Sequence, residues 1–387
     1  MKRIAQNLLL TLASVALFLG VAEAALWLIA PPPRYSPFSP GLFVDAPWGI
    51  GLRPGLTGWT DNRIEYRNKV FHIDADGHRL TPATAGVRDP ARTIHVLGDS
   101  QTFGQGLSDD EAWPNLLQRG LIAAGRRDVR VENLGVPGFN VDQYYAELKG
   151  IVPTLRAGDL VLVGLAWNDL MTPQDPSLVA RAVGGYLVTA PAGAAARAAA
   201  GGQPAPPPGT SWRLRLYRAT GIAVPHFRDV GQFALDISRN SALLSLVASH
   251  LRTLYYRWRT DNNAYRPLAE SGVPESNFEL LAGMQRRARA AGAGFAVIFL
   301  PERFYFDDDL YRVYSQGGRA FPAQDYMAYL ARPLCARYAI RCVNTFDALH
   351  RHYRDIMAYP VDGHYAPAGA ARIGAVAVQA VLPLLGP

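Results

Sequence analysis

VLGDSQTFGQG, residues 96–106, is the stretch around which the rest of the chain falls into order. An apolar run ends in Gly98-Asp99-Ser100, and a polar, glycine-studded segment follows. Alone it is a turn, since glycine, aspartate and serine are turn residues. With TIHVL (93–97) in front of it, it becomes the exit of a short buried strand. Downstream the pattern alternates. Helices are predicted over 111–125, 141–155, 276–292, 324–339 and about 367–385, and strands over 129–133, 159–166, 295–301 and 340–346. Five buried apolar strands alternating with helices imply a parallel sheet covered on both faces.

Upstream the character differs. MKRIAQNLLLTLASVALFLGVAEAALWLIAPPP opens on Lys2 and Arg3 and continues as an apolar run from about Leu8 to Ala30. About 23 residues at 1.5 Å each span the hydrocarbon layer. Ala22 to Ala24 offers a small-residue cleavage site, but the apolar run continues past it, which favours a retained anchor over a removed signal peptide. Lys2 and Arg3 place the N-terminus in the cytoplasm and the rest outside it. Glu23 is costly in lipid but lies late in the helix. A proline-rich spacer (30–40) follows, and residues 43–85 alternate as short antiparallel strands with a turn at ADGH (75–78). DADG (74–77) lacks the further ligands of a calcium loop. The expected domains are 1–30 (anchor or signal), 31–92 (spacer and strands) and 93–387, interrupted by an insertion at about 173–275. Within the insertion, 189–210 is Ala/Gly/Pro-rich and reads as a flexible surface segment, and 241–258 reads as a helix that pads the fold, with a cap over the active site or a place near the membrane as alternatives.

The chain has 387 residues, 49% hydrophobic and 18% charged, enough for a sizeable core. A net charge of +7 raises nucleic acid as a partner, but the arginines are scattered and no nucleic-acid motif is present. A basic surface beside an anionic membrane or an acidic glycan fits better. Cys335 and Cys342 have no zinc spacing; the sequence leaves a bridge between them open, and two buried free thiols are the simpler reading. His350 and His352 lack further metal ligands, and Asp307 to Asp309 read as a solvated acidic loop. Phe304, Tyr305 and Phe306 read as packing residues.

Open parallel sheets bind ligands beyond the carboxyl ends of their strands. There this sequence places Gly98-Asp99-Ser100, then NLGVPGFN (133–140), GLAWNDL (164–170) and, before the last helix, PVDGHYAPAG (360–369). These four blocks, in this order, resemble those of the GDSL, or SGNH, hydrolases, over about 93–170 and 340–385. The resemblance implies a flavodoxin-like three-layer α/β/α fold and a serine esterase needing no metal or organic cofactor. It makes Ser100 the nucleophile, His364 the base and Asp362 its carboxylate. The oxyanion hole falls to the Ser100 amide, the Gly138 amide and the Asn168 side chain. Asp362 stands two residues before His364, where the family often has three, and Val361 occupies that other position.

The chemistry agrees. Serine needs a neighbouring base, imidazole titrates near neutrality, and a carboxylate on its other nitrogen fixes the tautomer. Trp167, beside Asn168, is expected to touch substrate, while Asp99 and Asp169 are expected to shape their turns. The expected substrate is a carbohydrate or lipid ester of the cell envelope. Two alternatives are an O-acyltransferase acting on an envelope or exported glycan, and a non-catalytic scaffold that keeps the fold.

Overall fold

The structure is a computed structural model and describes residues 2–29, 37–39, 41–46, 49–171, 178–183, 186–191, 241–247, 272–316 and 323–386. The chain divides into two compact units. The first contains α1 (Lys2–Ile29), residues 61–67 and residues 241–247. The 28 residues of α1 are apolar enough to cross a membrane and none of its side chains is buried. Glu23 does not stand alone on this helix. Its carboxylate accepts hydrogen bonds from Trp27 Nε1 (2.8 Å), Ser241 Oγ (2.8 Å) and the amides of Ala242 (2.7 Å) and Leu243 (3.0 Å). It thereby caps the helical turn that begins at residue 242.

The second unit is built on a five-stranded sheet. Its strands are β5 (Arg92–Gly98), β6 (Val129–Gly135), β7 (Leu160–Ala166), β10 (Gly294–Leu300) and β11 (Arg341–Asn344). Every pair is parallel, in the order β11-β10-β7-β5-β6. Numbered by appearance this is 2-1-3-4-5, the flavodoxin-like order. The reason is in the side chains. All of LVLVGLA in β7 is buried, and β5 is buried from Thr93 onward, so neither strand has a solvent face.

The chain first moves from β5 to the edge strand β6 through α3 (Trp113–Ala123), then returns past β5 to β7 through α4 (Val141–Ile151). Right-handed crossovers then put α3 and α4 on opposite faces. The helix Pro367–Val381 packs with α3, and the helix Val273–Ala290 packs with α4. The reversal leaves a crevice at the carboxyl ends of β5 and β7, where such sheets bind ligands.

Before the sheet come two antiparallel pairs, β1 (Phe43–Ala46) with β2 (Gly49–Leu52) and β3 (Thr57–Thr60) with β4 (Lys69–His72). The expected turn forms over Asp74–His78, closed by an Ile73–Arg79 bridge, and Arg79 then pairs with Asn133 of edge strand β6.

Two expectations are corrected. Cys335 and Cys342 are joined in a disulfide, with Cα atoms 6.2 Å apart, rather than being free thiols. Packing of a helix end against the neighbouring strand brought them within reach, a distance sequence does not carry. The acidic run at 307–309 is not a solvated loop. Asp307 is buried, pairs with Arg303 (2.9 Å), and accepts the amides of Asp309 and Leu310 at the start of a helix. Of the insertion, residues 186–191 form β9, paired with β8 (Leu178–Val183), and 242–247 are helical. The spacer at 30–36, the low-complexity stretch beyond 191 and the predicted helix beyond 247 lie outside the described residues.

Candidate active site

Gly98, Gly135 and Gly164 lie side by side in register on β5, β6 and β7. This glycine row decides where Ser100 sits. A Cβ on Gly135 would come within 2.9 Å of the Phe103 Cα, and one on Gly98 within 2.5 Å of the Thr102 Cβ. One on Gly164 would strike the Thr102 hydroxyl. The bare strand ends let the single turn α2 (Ser100–Phe103) lie directly on the sheet. Asp99 caps that turn, its carboxylate accepting the Gln101 amide at 2.8 Å, and Ser100 becomes the first helical residue at the crevice. Asp99 shapes the turn as the sequence suggested, and its Oδ2 lies 3.5 Å from the Ser100 hydroxyl.

The last loop returns His364 to this point from 264 residues away. An Ala358–Tyr365 bridge and a Tyr359 amide donating to the His364 carbonyl (2.8 Å) fold residues 358–365 into a tight loop. His364 Nε2 is 2.7 Å from the Ser100 Oγ, and Nδ1 is 2.5 Å from the Asp362 Oδ1. The carboxylate two residues before the histidine therefore reaches the ring. Its other oxygen accepts Gln105 Nε2 at 3.1 Å, which fixes its rotation.

Burial of the imidazole opposes its protonation, but the Asp362 hydrogen bond and the charges of Asp362, Asp99 and Glu302 outweigh it and raise His364 above its ordinary 6.5. Serine, base and carboxylate are thus in the arrangement of an activated nucleophile.

Ser100, Asn168, Asp362 and His364 line one cavity of about 360 Å³, together with Asp99, Gln101, Glu302, Arg303, Phe304 and Tyr359. Asn168 projects from the turn after β7. It is oriented by Asp169 Oδ1, which accepts its Nδ2 at 3.2 Å. Asp169 is fully buried and is held in turn by the Tyr144 hydroxyl (2.7 Å) and the Ala166 amide (2.9 Å). Burial pushes both Asp169 and Asp99 upward, and the charge of Asp99 adds to the rise at Asp169.

Gly138 lies in the loop after β6 with φ +83°, a left-handed conformation that favours glycine, and outside the lining of this cavity. Trp167 is also outside the lining. It is 5% exposed and packs against Tyr305, Tyr326 and Phe304, and of these rings Phe304 lines the cavity.

Two contributors were not singled out in the sequence. Arg79, 1% exposed, donates to the carbonyls of Phe103 (2.5 Å), Gly104 (2.7 Å) and Leu107 (2.7 Å) and to Asp109 (3.1 Å). It ties down the loop that follows the nucleophile turn. Its signal was faint, one arginine after a turn in a polar stretch. Glu302 is the other, an acid after Pro301 at the end of β10. Among the described residues, no group of three or more His, Cys, Asp or Glu side chains is placed to hold a metal ion.

Residues 96–244 match the GDSL-like lipase/acylhydrolase family. No curated protein matches the chain. Among solved structures it is similar to the crystal structure of TesA, at 15% identity and a TM-score of 0.37, over 76% of this chain and 99% of that one. It is also similar to a lipolytic G-D-S-L protein from Veillonella parvula (12%, TM-score 0.37, 75% and 97%). A lipase/acylhydrolase from Enterococcus faecalis gives 13% identity, a TM-score of 0.36, and coverage of 75% and 95%. These likenesses are distant.

Proposed function

We propose that the ester-hydrolysing enzyme indicated by the family match over residues 96–244 is a serine esterase of the cell envelope, acting on carbohydrate or lipid esters through an acyl-enzyme on Ser100. The carrying observation is the continuous contact Ser100–His364–Asp362, at 2.7 and 2.5 Å. In the first half-reaction the Ser100 oxygen bonds to the ester carbonyl carbon as His364 Nε2 takes the hydroxyl proton. The tetrahedral adduct then expels the alcohol, which receives that proton. In the second half-reaction water attacks the acyl carbon with His364 again as base, releasing the acid and restoring Ser100. Asp362 holds the tautomer and stabilises the imidazolium. The Ser100 and Gly138 amides and the Asn168 amide group are assigned to the oxyanion.

Location belongs to the same proposal. α1 anchors the protein, with Lys2 and Arg3 inside and the hydrolase unit on the extracytoplasmic side. The Cys335–Cys342 disulfide suits an oxidising compartment. The four hydrogen bonds at Glu23 support retention of α1, because cleavage after Ala24 would leave Ser241 to Leu243 without their acceptor.

The test is hydrolysis of a chromogenic acetyl ester and labelling by a fluorophosphonate, with Ser100→Ala beside the wild type. Serine-dependent turnover and labelling are expected, and absence of both in the wild type overturns the reading. Protease treatment of spheroplasts tests the location: digestion of the hydrolase unit is expected, and complete protection refutes it.

A further inference from the structure

Glu302 is the one acid lining the catalytic cavity that hydrolysis leaves without a task. Asp99 caps the nucleophile turn and Asp362 holds His364. Glu302 follows β10 and precedes the short helix Arg303–Phe306, on the same strand-end rim as Ser100. Among the described residues its carboxyl makes no hydrogen bond and no ion pair. The adjacent arginine is committed elsewhere, since Arg303 pairs with Asp307 at 2.9 Å. Glu302 is half-buried, so a substrate that fills the cavity displaces water from its carboxyl and leaves it a penalty unless the substrate itself supplies a hydrogen bond.

The surroundings narrow what that ligand group is. Asp99, Asp362 and Glu302 all line the cavity, so an anionic substituent is repelled. An alkyl group would dehydrate the carboxyl and give it nothing. Burial holds Glu302 at about 7, so both of its protonation states are populated near neutrality. A hydroxyl satisfies both, donating to the carboxylate or accepting from the acid. An ammonium satisfies only the ionised state. Its positive charge would also oppose the imidazolium that His364 becomes in each half-reaction.

We propose that Glu302 is a specificity residue that selects esters whose alcohol portion carries a free hydroxyl beside the scissile oxygen, a polyol or sugar rather than an alkyl alcohol. The inference rests on Ser100 being the nucleophile, and it deepens that reading by fixing the alcohol side of the substrate.

The experiment compares three acetate esters with the same acyl group on the full-length protein: 2-hydroxyethyl acetate, ethyl acetate and acetylcholine. The wild type is expected to favour the hydroxyethyl ester over the other two in kcat/KM by at least about tenfold. In Glu302→Ala that preference falls about tenfold or more, chiefly through a higher KM for the hydroxyethyl ester. In Glu302→Gln most of it survives, because an amide also donates and accepts. Equal use of hydroxyethyl and ethyl acetate by the wild type overturns the inference without any variant being needed. So does an unchanged preference in Glu302→Ala. A preference for acetylcholine replaces the hydroxyl with a cation and equally overturns it. Fluorophosphonate labelling run in parallel separates the two levels. Labelled enzyme without a preference refutes only the role of Glu302, whereas unlabelled enzyme that turns over none of the esters refutes the esterase reading and this inference with it.

Discussion

Replacing Arg79 with methionine is expected to damage the active site without touching it. The substitution keeps an apolar stem over the rings of Phe71 and Phe103, which lie 5.6 and 4.6 Å from the guanidinium carbon. It removes all four hydrogen bonds of the guanidinium. Gly104 O keeps a donor, the Leu107 amide at 3.1 Å, and Asp109 keeps the His72 amide and Nδ1. Phe103 O retains only a long contact of 3.5 Å from Asn133. The Leu107 carbonyl loses its Arg79 donor, and Asp109 loses a buried cation. Breaking a buried ion pair from one side costs about 3–5 kcal/mol. For a domain of this size about 2–4 °C accompany each kcal/mol, so Tm is expected to fall by about 6–20 °C. Because the freed segment follows directly from Ser100, the rate of fluorophosphonate labelling is expected to fall as well, at temperatures where the fold persists. Circular-dichroism melts and timed labelling measure the two effects. A Tm within about 2 °C of wild type together with an unchanged labelling rate refutes the reasoning.

Four further outcomes are expected. Asp362→Asn lowers kcat by about 10⁴-fold, as loss of the orienting carboxylate does in related triads. With neutral His364 as the proposed base, the acid limb of kcat/KM is expected above the ordinary histidine value of 6.5 in the wild type and at lower pH in Asp362→Asn, where burial is less opposed; an acid limb at the same pH in both proteins contradicts the assignment. Asn168→Ala lowers kcat by about 10²–10³-fold with little change in KM, measured on a chromogenic ester, and a change confined to KM argues against an oxyanion role. Replacing Cys335 and Cys342 together by serine opens a loop of sequence separation 7 and removes about 2–3 kcal/mol of stability, read as a lower urea midpoint that reductant reproduces in the wild type.

Much of this protein was legible before folding was considered. The central strands announced themselves because burial on both faces leaves an uninterrupted apolar run, as in LVLVGLA, whereas the edge strands β6 and β11 keep exposed polar residues and were legible from their place in the alternation with helices. Ser100, Asn168 and His364 were legible because strand ends in such sheets converge on one crevice, so polar residues placed there are natural partners. The reach of Asp362 to the imidazole needed the tight loop at 358–365, which depends on a bridge that sequence spacing does not record.

What the tertiary structure decided shares one physical cause, which is that burial and pairing are properties of distance. An isolated arginine at position 79 becomes structural only because three carbonyls 24, 25 and 28 residues away fold around it. Two cysteines become a disulfide only because a helix end meets its neighbouring strand. Glu302 is an ordinary acid in the sequence; it acquires an elevated pKa because β10 ends at this cavity, where burial and the Asp99 charge outweigh the opposing pull of His364. Gly98, Gly135 and Gly164 are scattered in the chain and meaningless singly, yet register aligns them into the bare row on which the nucleophile turn rests. Apolar pattern and motif order determined which elements form and which residues are candidates for the chemistry. Register and packing decided how close those residues stand, and therefore which of them act together.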